Sequence, residues 1–403
     1  KHGIEVGDRV GSFMWNNYRH LELYQAVPSM GAVLHILNIR LSPTDLEYII
    51  NHANDRVIFA DEDLLPLLEP LWDKIPCVEL LVICRHGEGG ESSFKNQIDY
   101  EDFIAGQETT YEWPDIDENS PMGLCYTSGT TGKPKGVMYT NRSTYLHTLA
   151  ECLTDSIGLS SLDSLLGIVP MFHAMGWGLP FCASMLGCKQ VMPHRFMVPD
   201  AFLKLMHEEE VTISAGVPTI WQGVKAALEA EPGKYDLSNL ARLTCGGSAP
   251  PVSMMRWYWD SHQIEMIQGW GMTEMSPLGT VNALLPKHEG LDREEIIKIK
   301  LKQGRLVFGV GMRIVDDEGK ELPWDGKSSG HVQVRGPWIA SGYYRGAGAE
   351  SFTDDGWFET GDVAHLDGNG FMTITDRSKD VIKTGGEWIS SIDLENAAMG
   401  HPS

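Results

Sequence analysis

Tyr126-Thr127-Ser128-Gly129-Thr130-Thr131-Gly132-Lys133-Pro134-Lys135-Gly136-Val137 is the stretch that decides the fold of this chain. Its glycines allow the backbone to curl so that successive N–H groups point into one concavity, a geometry that suits an anion. The hydroxyl groups add hydrogen-bond donors and can face a metal ion, and the lysines supply positive charge. Apolar residues flank the stretch on both sides, which favours a strand leading into a phosphate-binding loop over a flexible linker.

This loop does not fit the P-loop of GTPases and kinases, in which four residues separate the first glycine from Gly-Lys-Ser/Thr. Only two residues separate Gly129 from Gly132, and Pro134 follows Lys133. The stretch instead resembles the phosphate loop of the acyl-adenylate-forming enzymes, which include acyl-CoA synthetases, firefly luciferases and peptide-synthetase adenylation domains. The resemblance implies that the phosphates of ATP are bound by Thr127, Ser128, Gly129, Thr130, Thr131, Gly132 and Lys135.

Length and composition limit the classes of protein that the chain can belong to. Its 403 residues, 42% of them hydrophobic, can bury a large core and exceed one ordinary domain. The 32 basic and 55 acidic residues give a net charge of −23, which argues against a nucleic-acid-binding or anionic-membrane surface but not against one cationic pocket. The 7 cysteines form no zinc or disulfide spacing, so we expect a reduced, cytoplasmic protein.

Residues 164–188 carry no formal charge and are long enough to suggest a membrane span. Pro170, Pro180, His173 and several glycines argue against a continuous helix there. We therefore expect no stable membrane insertion and predict a buried segment that lines an apolar cavity.

Alternating helical and strand patterns over residues 1–60 predict a mostly parallel sheet covered by helices, with Ser42 capping a helix that has Pro43 at its first position. Residues 85–120 are polar and weakly periodic, which predicts a surface excursion. From Gly311 onward, apolar and polar residues alternate between Asp-Gly and Asn-Gly turns, which predicts antiparallel strands. The fold class is α/β, a large N-terminal domain of mixed and parallel sheets with helices. The predicted units are an adenylation core (1–305), a β-rich subdomain (306–375), and a hinge with the start of a small C-terminal domain (376–403).

Two predicted strands end in glycine-rich turns, where open α/β sheets bind ligands. The first ends in Gly246-Gly247-Ser248, and the second, Ile264 to Gln268, runs into Gly269-Trp270-Gly271-Met272-Thr273-Glu274. The second motif resembles the adenine and magnesium motif of the family, which implies that Trp270 stacks on adenine, Thr273 meets phosphate, and Glu274 binds Mg²⁺ together with Thr127. By the same resemblance the adenine- and ribose-binding residues are Gly246, Gly247, Ser248, Gln268, Gly269, Trp270, Gly271, Met272, Asp362 and Arg377.

The run from Pro170 to Trp177 resembles the Pro-x-Phe-His segment of the family. The resemblance implies that His173 lies beside the substrate carboxylate and the α-phosphate, and that Trp177 walls the acyl pocket. Val217 and Trp221 are expected near the acyl chain, with ordinary core packing as the alternative for both. The implied pocket consists of His173, Trp177, Val217, Trp221, Gly246 and Trp270.

The stretch from Asp376 to Ser390 matches the hinge between the large and small domains of the family. The resemblance makes Asp376 the pivot and Arg377 a ribose partner. It implies that the nucleotide or coenzyme A is approached by Lys379, Lys383, Gly385, Gly386, Glu387 and Trp388. The catalytic residues implied are His173, Thr127, Glu274 and Lys383. The family's adenylation lysine has no counterpart here, so we expect that most of the small domain is absent from this chain.

The resemblance covers essentially the whole chain and is greatest to medium-chain fatty-acid–CoA ligases and bacterial methylmercaptopropionate–CoA ligases. It implies an ATP-dependent ligase that uses Mg²⁺, activates a short- or medium-chain carboxylic acid and transfers it to coenzyme A, with a homodimer as a candidate assembly. The alternatives are a carboxylate-adenylating domain that serves a carrier protein, a luciferase-like oxygenase, and a non-enzymatic nucleotide sensor. A pyrophosphate-exchange screen, oxygen uptake and the intact mass of the native polypeptide distinguish them.

Overall fold

A computed structural model describes residues 2–87, 91–127, 132–377, 382–384 and 387–389, with side-chain surroundings as far as residue 375. The helices are α1 (Tyr18–Ser29), α2 (Pro43–Ala53), α3 (Leu65–Leu68), α4 (Tyr100–Ile104), α5 (Asn141–Glu151), α6 (Leu179–Leu186), α7 (Pro199–Glu208), α8 (Pro218–Ala230), α9 (Val252–His262) and α10 (Arg293–Lys300). The strands before residue 200 are β1 (Arg9–Phe13), β2 (Val33–Ile36), β3 (Asp55–Asp61), β4 (Leu80–Cys84), β5 (Gln97–Asp99), β6 (Pro121–Thr127), β7 (Lys135–Thr140), β8 (Ser164–Leu166) and β9 (Lys189–Val191). The later strands are β10 (Ile213–Gly216), β11 (Arg242–Cys245), β12 (Glu265–Gly271), β13 (Leu278–Val281), β14 (Gly304–Leu306), β15 (Gly311–Val315), β16 (Gly330–Arg335), β17 (Phe358–Leu366), β18 (Phe371–Arg377), β19 (Ile382–Thr384) and β20 (Glu387–Ile389).

The first sheet has the strand order β5-β4-β3-β1-β2-β6-β7 and is parallel except for the hairpin of β6 and β7. The helix–strand alternation predicted for residues 1–60 is confirmed by β1, α1, β2, α2 and β3. Helix α2 begins as predicted, because the Ser42 side chain accepts a hydrogen bond from the Asp45 N–H and Pro43 occupies the first turn. The mixed α/β fold expected from the sequence is therefore confirmed in this half of the chain.

The second sheet has the order β15-β16-β17-β18-β14-β13-β12-β11-β10-β8-β9. Its strands from β8 to β12 pair in parallel, whereas β12 to β18 pair antiparallel. The change of direction occurs within β12, which pairs with β11 as far as Gln268 and with β13 from Gly269. The predicted antiparallel strands after Gly311 thus continue a sheet that begins earlier, and the predicted boundary after residue 305 falls inside β14. The domain limits themselves stay predictions.

Two local sequence expectations differ from the structure. Residues 97–104 hold β5 and α4 rather than an irregular excursion, because Tyr100 is buried and β5 pairs with β4 at the sheet edge. Elements this short leave too little periodicity to recognise. The adenine motif also begins within a strand rather than after it, since pairing with β13 extends β12 through Gly271.

The charge-free residues 164–188 form three short elements instead of one helix. Strand β8 leads to a turn over Ala174–Gly178, and α6 follows with Pro180 in its first turn. In the described part of the chain, no helix is both long enough and apolar enough to cross a bilayer. Most of the segment is buried between the two sheets, as the composition predicted.

Candidate active site

The ends of the phosphate loop are held by the hairpin of β6 and β7, in which Thr127 lies opposite Lys135. The Thr127 hydroxyl lies 3.5 Å from the Lys135 carbonyl oxygen. Gly132 is exposed, and Lys135 Nζ lies 3.5 Å from Glu350 Oε1 and 4.9 Å from the centre of the Tyr343 ring. Ser128, Gly129, Thr130 and Thr131 lie outside the described residues, so their predicted phosphate contacts stay predictions. The described flanks bring a hydroxyl and an ammonium group to one side of the hairpin.

Glu274 follows the end of β12 and faces the same region as Lys135. Its side chain is buried, and Tyr343 donates its hydroxyl hydrogen to Glu274 Oε1 at 2.6 Å. Burial, and then the neighbouring Glu274 charge, raise the pKa of the Tyr343 phenol, which keeps it a donor. The adjacent Thr273 carbonyl accepts a hydrogen bond from the Tyr139 hydroxyl at 2.7 Å. Lys135, Tyr343 and Glu274 thus form a connected group at the foot of the phosphate loop.

A cavity of about 100 Å³ lies beyond the carboxyl ends of the parallel strands β10 and β11, beside the last residues of β12. The residues that line it include four of the six predicted for the substrate pocket, namely His173, Trp177, Gly246 and Trp270. It is also lined by Glu151, Ile157, Ala174, Leu179, Ala215, Thr244, Gly247, Gly269, Gly271, Met272, Thr273, Pro277 and Leu278. The cavity lining is mainly apolar and includes Thr273, which suits an organic acid placed next to a phosphate group.

The Trp177 side chain reaches this cavity from a left-handed turn. Five consecutive residues, 174–178, have positive φ, with values of 44° at Ala174, 51° at Met175 and 58° at Trp177 among the non-glycine residues. Left-handed backbone costs a non-glycine residue roughly 1–2 kcal/mol, so the surrounding packing must impose this conformation. The Trp177 ring lies against Gly246, where an added Cβ would come within 3.0 Å of it. Glycine at position 246 therefore allows the indole to wall the cavity.

His173 precedes this turn and part of its ring reaches solvent at the cavity mouth. Its backbone N–H donates to the Pro170 carbonyl at 3.0 Å, which fixes the start of the turn. Desolvation by the surrounding protein, and then the positive charge of Arg40, lower the pKa of His173. The lowered pKa favours the neutral imidazole at neutral pH, a form that can either donate or accept one hydrogen bond.

Trp270 and Asp362, predicted separately for adenine and ribose, are in direct contact. The Trp270 indole N–H donates to Asp362 Oδ2 at 2.9 Å, and both side chains are buried. Nearby, Thr244 Oγ1 and Gln268 Oε1 are buried without a hydrogen-bond partner in the described part of the chain. Buried polar atoms are normally paired, so these two fit a polar ligand that completes the site.

Close backbone approach explains two of the predicted glycines. A Cβ at Gly271 would lie 1.9 Å from the Pro277 carbonyl oxygen, and Gly247 has a positive φ of 80°. Other residues at these positions would displace the backbone that borders the cavity. Ser248 is exposed beside this turn, and Met272 lines the cavity.

Trp221 and Val217 do not line the cavity, in contrast to the expectation from the resemblance. Trp221 is fully buried in the core between α8 and α9, where its indole N–H donates to the Thr244 carbonyl at 3.2 Å and its own carbonyl accepts from Tyr258 at 2.7 Å. Val217 is half-buried, and its Cγ1 would lie 3.2 Å from a Cβ built at Gly247, a residue that lines the cavity. Core packing, the alternative considered for both residues, describes the position of Trp221, whereas the expectation for Val217 stays a prediction.

The predicted hinge residues are described only in part. Asp376 and Arg377 end β18, where Arg377 lies opposite Asp362 in the strand register, next to the predicted ribose partner. Lys383 pairs with Trp388, and Glu387 with Thr384, in the two-stranded sheet of β19 and β20. Lys379, Gly385 and Gly386 lie outside the described residues. The proposed catalytic role of Lys383 and the coenzyme contacts stay predictions.

The sequence did not indicate Tyr343 or Glu151 as site residues. Glu151 lies on the buried face of α5 and lines the cavity, and it accepts a hydrogen bond from Cys182 Sγ at 2.9 Å. Burial raises the pKa of Glu151 from its ordinary 4.5 to about 8, so the carboxyl group is neutral over most of the physiological range. The sequence offers one signal for Glu151: it follows His147 by four residues, on the same face of α5. Glu–His pairs at this spacing also occur on exposed helices, so the signal does not identify a site residue by itself.

The sequences of known proteins align with this chain over its whole length. The AMP-binding enzyme family matches residues 1–344. The medium-chain-fatty-acid–CoA ligase of Ectopseudomonas oleovorans is 44% identical over 403 residues, which cover 100% of this chain and 73% of that protein. The 3-methylmercaptopropionyl-CoA ligase of Ruegeria lacuscaerulensis is 46% identical, with 100% and 74% covered.

The fold is also that of solved ligases. The crystal structure of the anthranilate CoA ligase AuaEII in complex with anthranoyl-AMP superposes with a TM-score of 0.87 at 26% identity, and the match covers 99% of this chain and 74% of that one. ATP-bound MatB from Rhodopseudomonas palustris gives a TM-score of 0.81 at 25% identity, with 100% and 75% covered. With its fold, its cavity and its sequence all in agreement over most of its length, the chain belongs to the AMP-binding enzyme family.

Proposed function

We propose that this protein is an ATP-dependent acyl-CoA ligase that adenylates a short- or medium-chain carboxylic acid and transfers the acyl group to coenzyme A. One observation carries the proposal. A mainly apolar cavity is lined by Thr273, which directly precedes Glu274 of the connected group of Lys135, Tyr343 and Glu274, and by Trp270, which is hydrogen-bonded to the buried Asp362. This arrangement can hold an acid and a nucleotide side by side. The names of the similar ligases support the same reaction class.

In the first half-reaction, the substrate carboxylate attacks the α-phosphorus of ATP. The bond to the β-phosphate oxygen breaks, and pyrophosphate leaves as the acyl-adenylate forms. Because the protein contributes mainly positioning and charge neutralisation to such a transfer, the phosphate loop and Lys135 would bind the phosphates. His173, at the cavity mouth, would hydrogen-bond the carboxylate or the α-phosphate, and Trp270 and Asp362 would bind the adenosine.

Mg²⁺ is the cation that this site would take. The ion prefers oxygen ligands and retains water, and the buried Glu274 carboxylate, with the Thr127 hydroxyl across the loop, supplies oxygen atoms of that type. When bound, Mg²⁺ neutralises phosphate charge. Tyr343 would hold the Glu274 carboxylate in place through its hydrogen bond to Oε1.

In the second half-reaction, the thiol of coenzyme A attacks the acyl carbonyl, and AMP leaves as the thioester forms. The stretch from Asp376 to Trp388 would approach the nucleotide or the coenzyme during this step, with Asp376 as the hinge. Lys379, Lys383, Gly385 and Gly386 would contribute backbone or side-chain contacts. These roles rest on the resemblance of the stretch to the hinge of the family.

The acyl group is proposed to be short or medium in length. The cavity is lined by two large rings, Trp177 and Trp270, and has a volume of about 100 Å³. A thioether acid such as 3-methylmercaptopropionate is a specific candidate, since similar ligases carry that name. Ligase rates measured from propionate to palmitate, with 3-methylmercaptopropionate included, test the assignment. A maximum at palmitate would contradict it.

Pyrophosphate exchange tests the reaction itself, because it reports the first half-reaction without coenzyme A. The assay uses the full-length protein with Mg²⁺ and the preferred acid. Glu274→Ala should reduce exchange by about 100-fold or more, since it removes a charged metal ligand. Glu350→Ala is the control. It removes an exposed carboxylate that contacts Lys135, and it should retain most of the activity. Exchange by Glu274→Ala at the wild-type rate would refute the metal assignment.

A further inference from the structure

Three potential metal-binding side chains, Asp61, His86 and His194, meet outside the proposed active site. One ligand atom from each, the Asp61 carboxylate oxygen and a ring nitrogen of each histidine, lies within 4.8 Å of the other two. His86 Nε2 is 3.1 Å from Asp61 Oδ1 and 3.1 Å from His194 Nε2. Asp61 is fully buried, and the two histidines are partly buried. The cluster is therefore open to solvent on its histidine side only.

Hydrogen bonding alone does not satisfy this arrangement. A neutral imidazole nitrogen carries either one hydrogen or one lone pair, and His86 Nε2 faces both a carboxylate oxygen and another ring nitrogen at the same distance. It can form a well-directed bond with only one of them. Asp61 Oδ2 is already fixed by the Trp15 N–H at 2.8 Å and by the Asn17 amide at 2.9 Å, so the carboxylate cannot rotate to relieve the conflict. A cation between the three groups would accept a lone pair from each.

We propose that Asp61, His86 and His194 bind a divalent transition-metal ion, with Zn²⁺ as the ion of choice. Two imidazoles and one carboxylate are ligands that zinc accepts, whereas Mg²⁺ and Ca²⁺ prefer oxygen alone. Ligands about 2.0–2.1 Å from a tetrahedral ion lie roughly 3.3 Å from each other, close to the two observed separations of 3.1 Å. Close to this cluster in sequence, Asp63 Oδ1 is buried without a hydrogen-bond partner in the described part of the chain.

The ion would join the two large sheets. Asp61 ends β3 and His86 follows β4, both in the first sheet, whereas His194 follows β9 at the edge of the second. The His194 N–H donates to the Asn16 carbonyl at 2.9 Å, and the Asn16 side chain in turn accepts from the Met171 N–H at 2.8 Å. Met171 is two residues before His173, so the metal would stabilise the junction from which the acyl-pocket turn begins. Its role is structural, and the chemistry proposed above does not depend on it.

The test measures zinc binding by the full-length protein after removal of metals with a chelator, by equilibrium dialysis against zinc sulfate with excess Mg²⁺ present. We expect one zinc ion per chain, a raised thermal unfolding midpoint, and, after cobalt substitution, the visible absorption of a four-coordinate ion. His86→Ala and His194→Ala should each raise the zinc Kd by at least about tenfold, since even outer-shell partners of a metal contribute that much. His331→Ala is the matched control, because His331 also pairs with a carboxylate, Asp317, at 3.0 Å.

Wild-type protein that binds no zinc under these conditions would overturn the proposal. Unchanged zinc affinity in both folded histidine variants would overturn it as well, since the metal would then lie elsewhere. If an alanine variant fails to fold, the glutamine variant at the same position, His86→Gln or His194→Gln, replaces it, and the cobalt spectrum of the wild type provides an independent result. Pyrophosphate exchange with Mg²⁺ is measured separately, so failure of the zinc site is distinguishable from failure of the proposed ligase activity.

Discussion

Glu151 offers a quantitative test of the cavity, through the substitution Glu151→Gln. The side chain lines the cavity, is almost fully buried, and has its pKa raised from 4.5 to about 8. Burial therefore disfavours the charged form of the carboxyl group relative to the neutral form. Glutamine keeps the size of the side chain and a carbonyl oxygen that can accept from Cys182, but it does not ionise.

The sign of the effect follows from linkage between folding and protonation. For a raised folded-state pKa, the stabilisation by the neutral form is complete below the unfolded-state pKa near 4.5 and is lost as the pH rises toward 8. Each pKa unit is worth about 1.36 kcal/mol, so the wild type loses about 2.5 kcal/mol relative to Glu151→Gln between pH 5 and pH 7. Above pH 8 the loss of unfolding free energy approaches its maximum of about 5 kcal/mol, and relaxation of the buried site would reduce it.

Urea unfolding of both proteins at pH 5, 7 and 8.5 measures this difference, with the midpoint and the slope compared at each pH. We expect the advantage of Glu151→Gln to grow steadily across the series. Glu108→Gln, on an exposed loop, is the control and should show no such trend. A stability difference between wild type and Glu151→Gln that is the same at all three values would refute the conclusion that Glu151 is buried in its neutral form.

Two further substitutions test other contacts. Tyr343→Phe removes the hydrogen bond to Glu274 and should lower kcat/KM for ATP in pyrophosphate exchange by about tenfold or more, because a hydrogen bond to a charged acceptor is worth about 1.5–3 kcal/mol. Tyr344→Phe is the control. Equal effects of the two substitutions on kcat/KM would contradict the role assigned to Tyr343. Gly271→Ala should lower the thermal unfolding midpoint by several degrees, since its Cβ would meet the Pro277 carbonyl at 1.9 Å. Gly342→Ala, where no atom lies within 4 Å, should leave the midpoint nearly unchanged, and a Gly271→Ala protein as stable as wild type would show that β12 can shift.

The parts of the fold that depend on local sequence were predictable. The Ser42 cap with Pro43 behind it fixed the start of α2, and alternating apolar residues fixed β15, β16 and β18. Strands β11 and β12 were predicted as apolar runs that end in glycine-rich turns, whereas their parallel pairing is a finding of the structure. These features arise within a few residues of one another, where propensity, capping and periodicity act directly.

The contacts that complete the site were not predictable, because they join distant parts of the chain. Tyr343 reaches Glu274 across 69 positions, and Trp270 reaches Asp362 across 92. His86 and His194 are 108 positions apart and follow strands of different sheets. Trp221 was expected near the acyl chain but lies in the core. The sequence around a large aromatic residue is the same whether its side chain faces a ligand or the core, so the two positions could not be distinguished.

The left-handed turn over Ala174–Gly178 has a consequence for altering the acyl preference of the enzyme. Ala174, Met175 and Trp177 do not favour that backbone by themselves, so the depth at which the Trp177 indole stops is determined by the elements that surround the turn. Insertions or deletions in the turn would allow its backbone to relax and would remove the Trp177 indole from the cavity. Changing the chain length that the enzyme accepts should therefore begin with side chains that project into the opening, Trp177 and Glu151 first, and leave the main chain of this corner as it is.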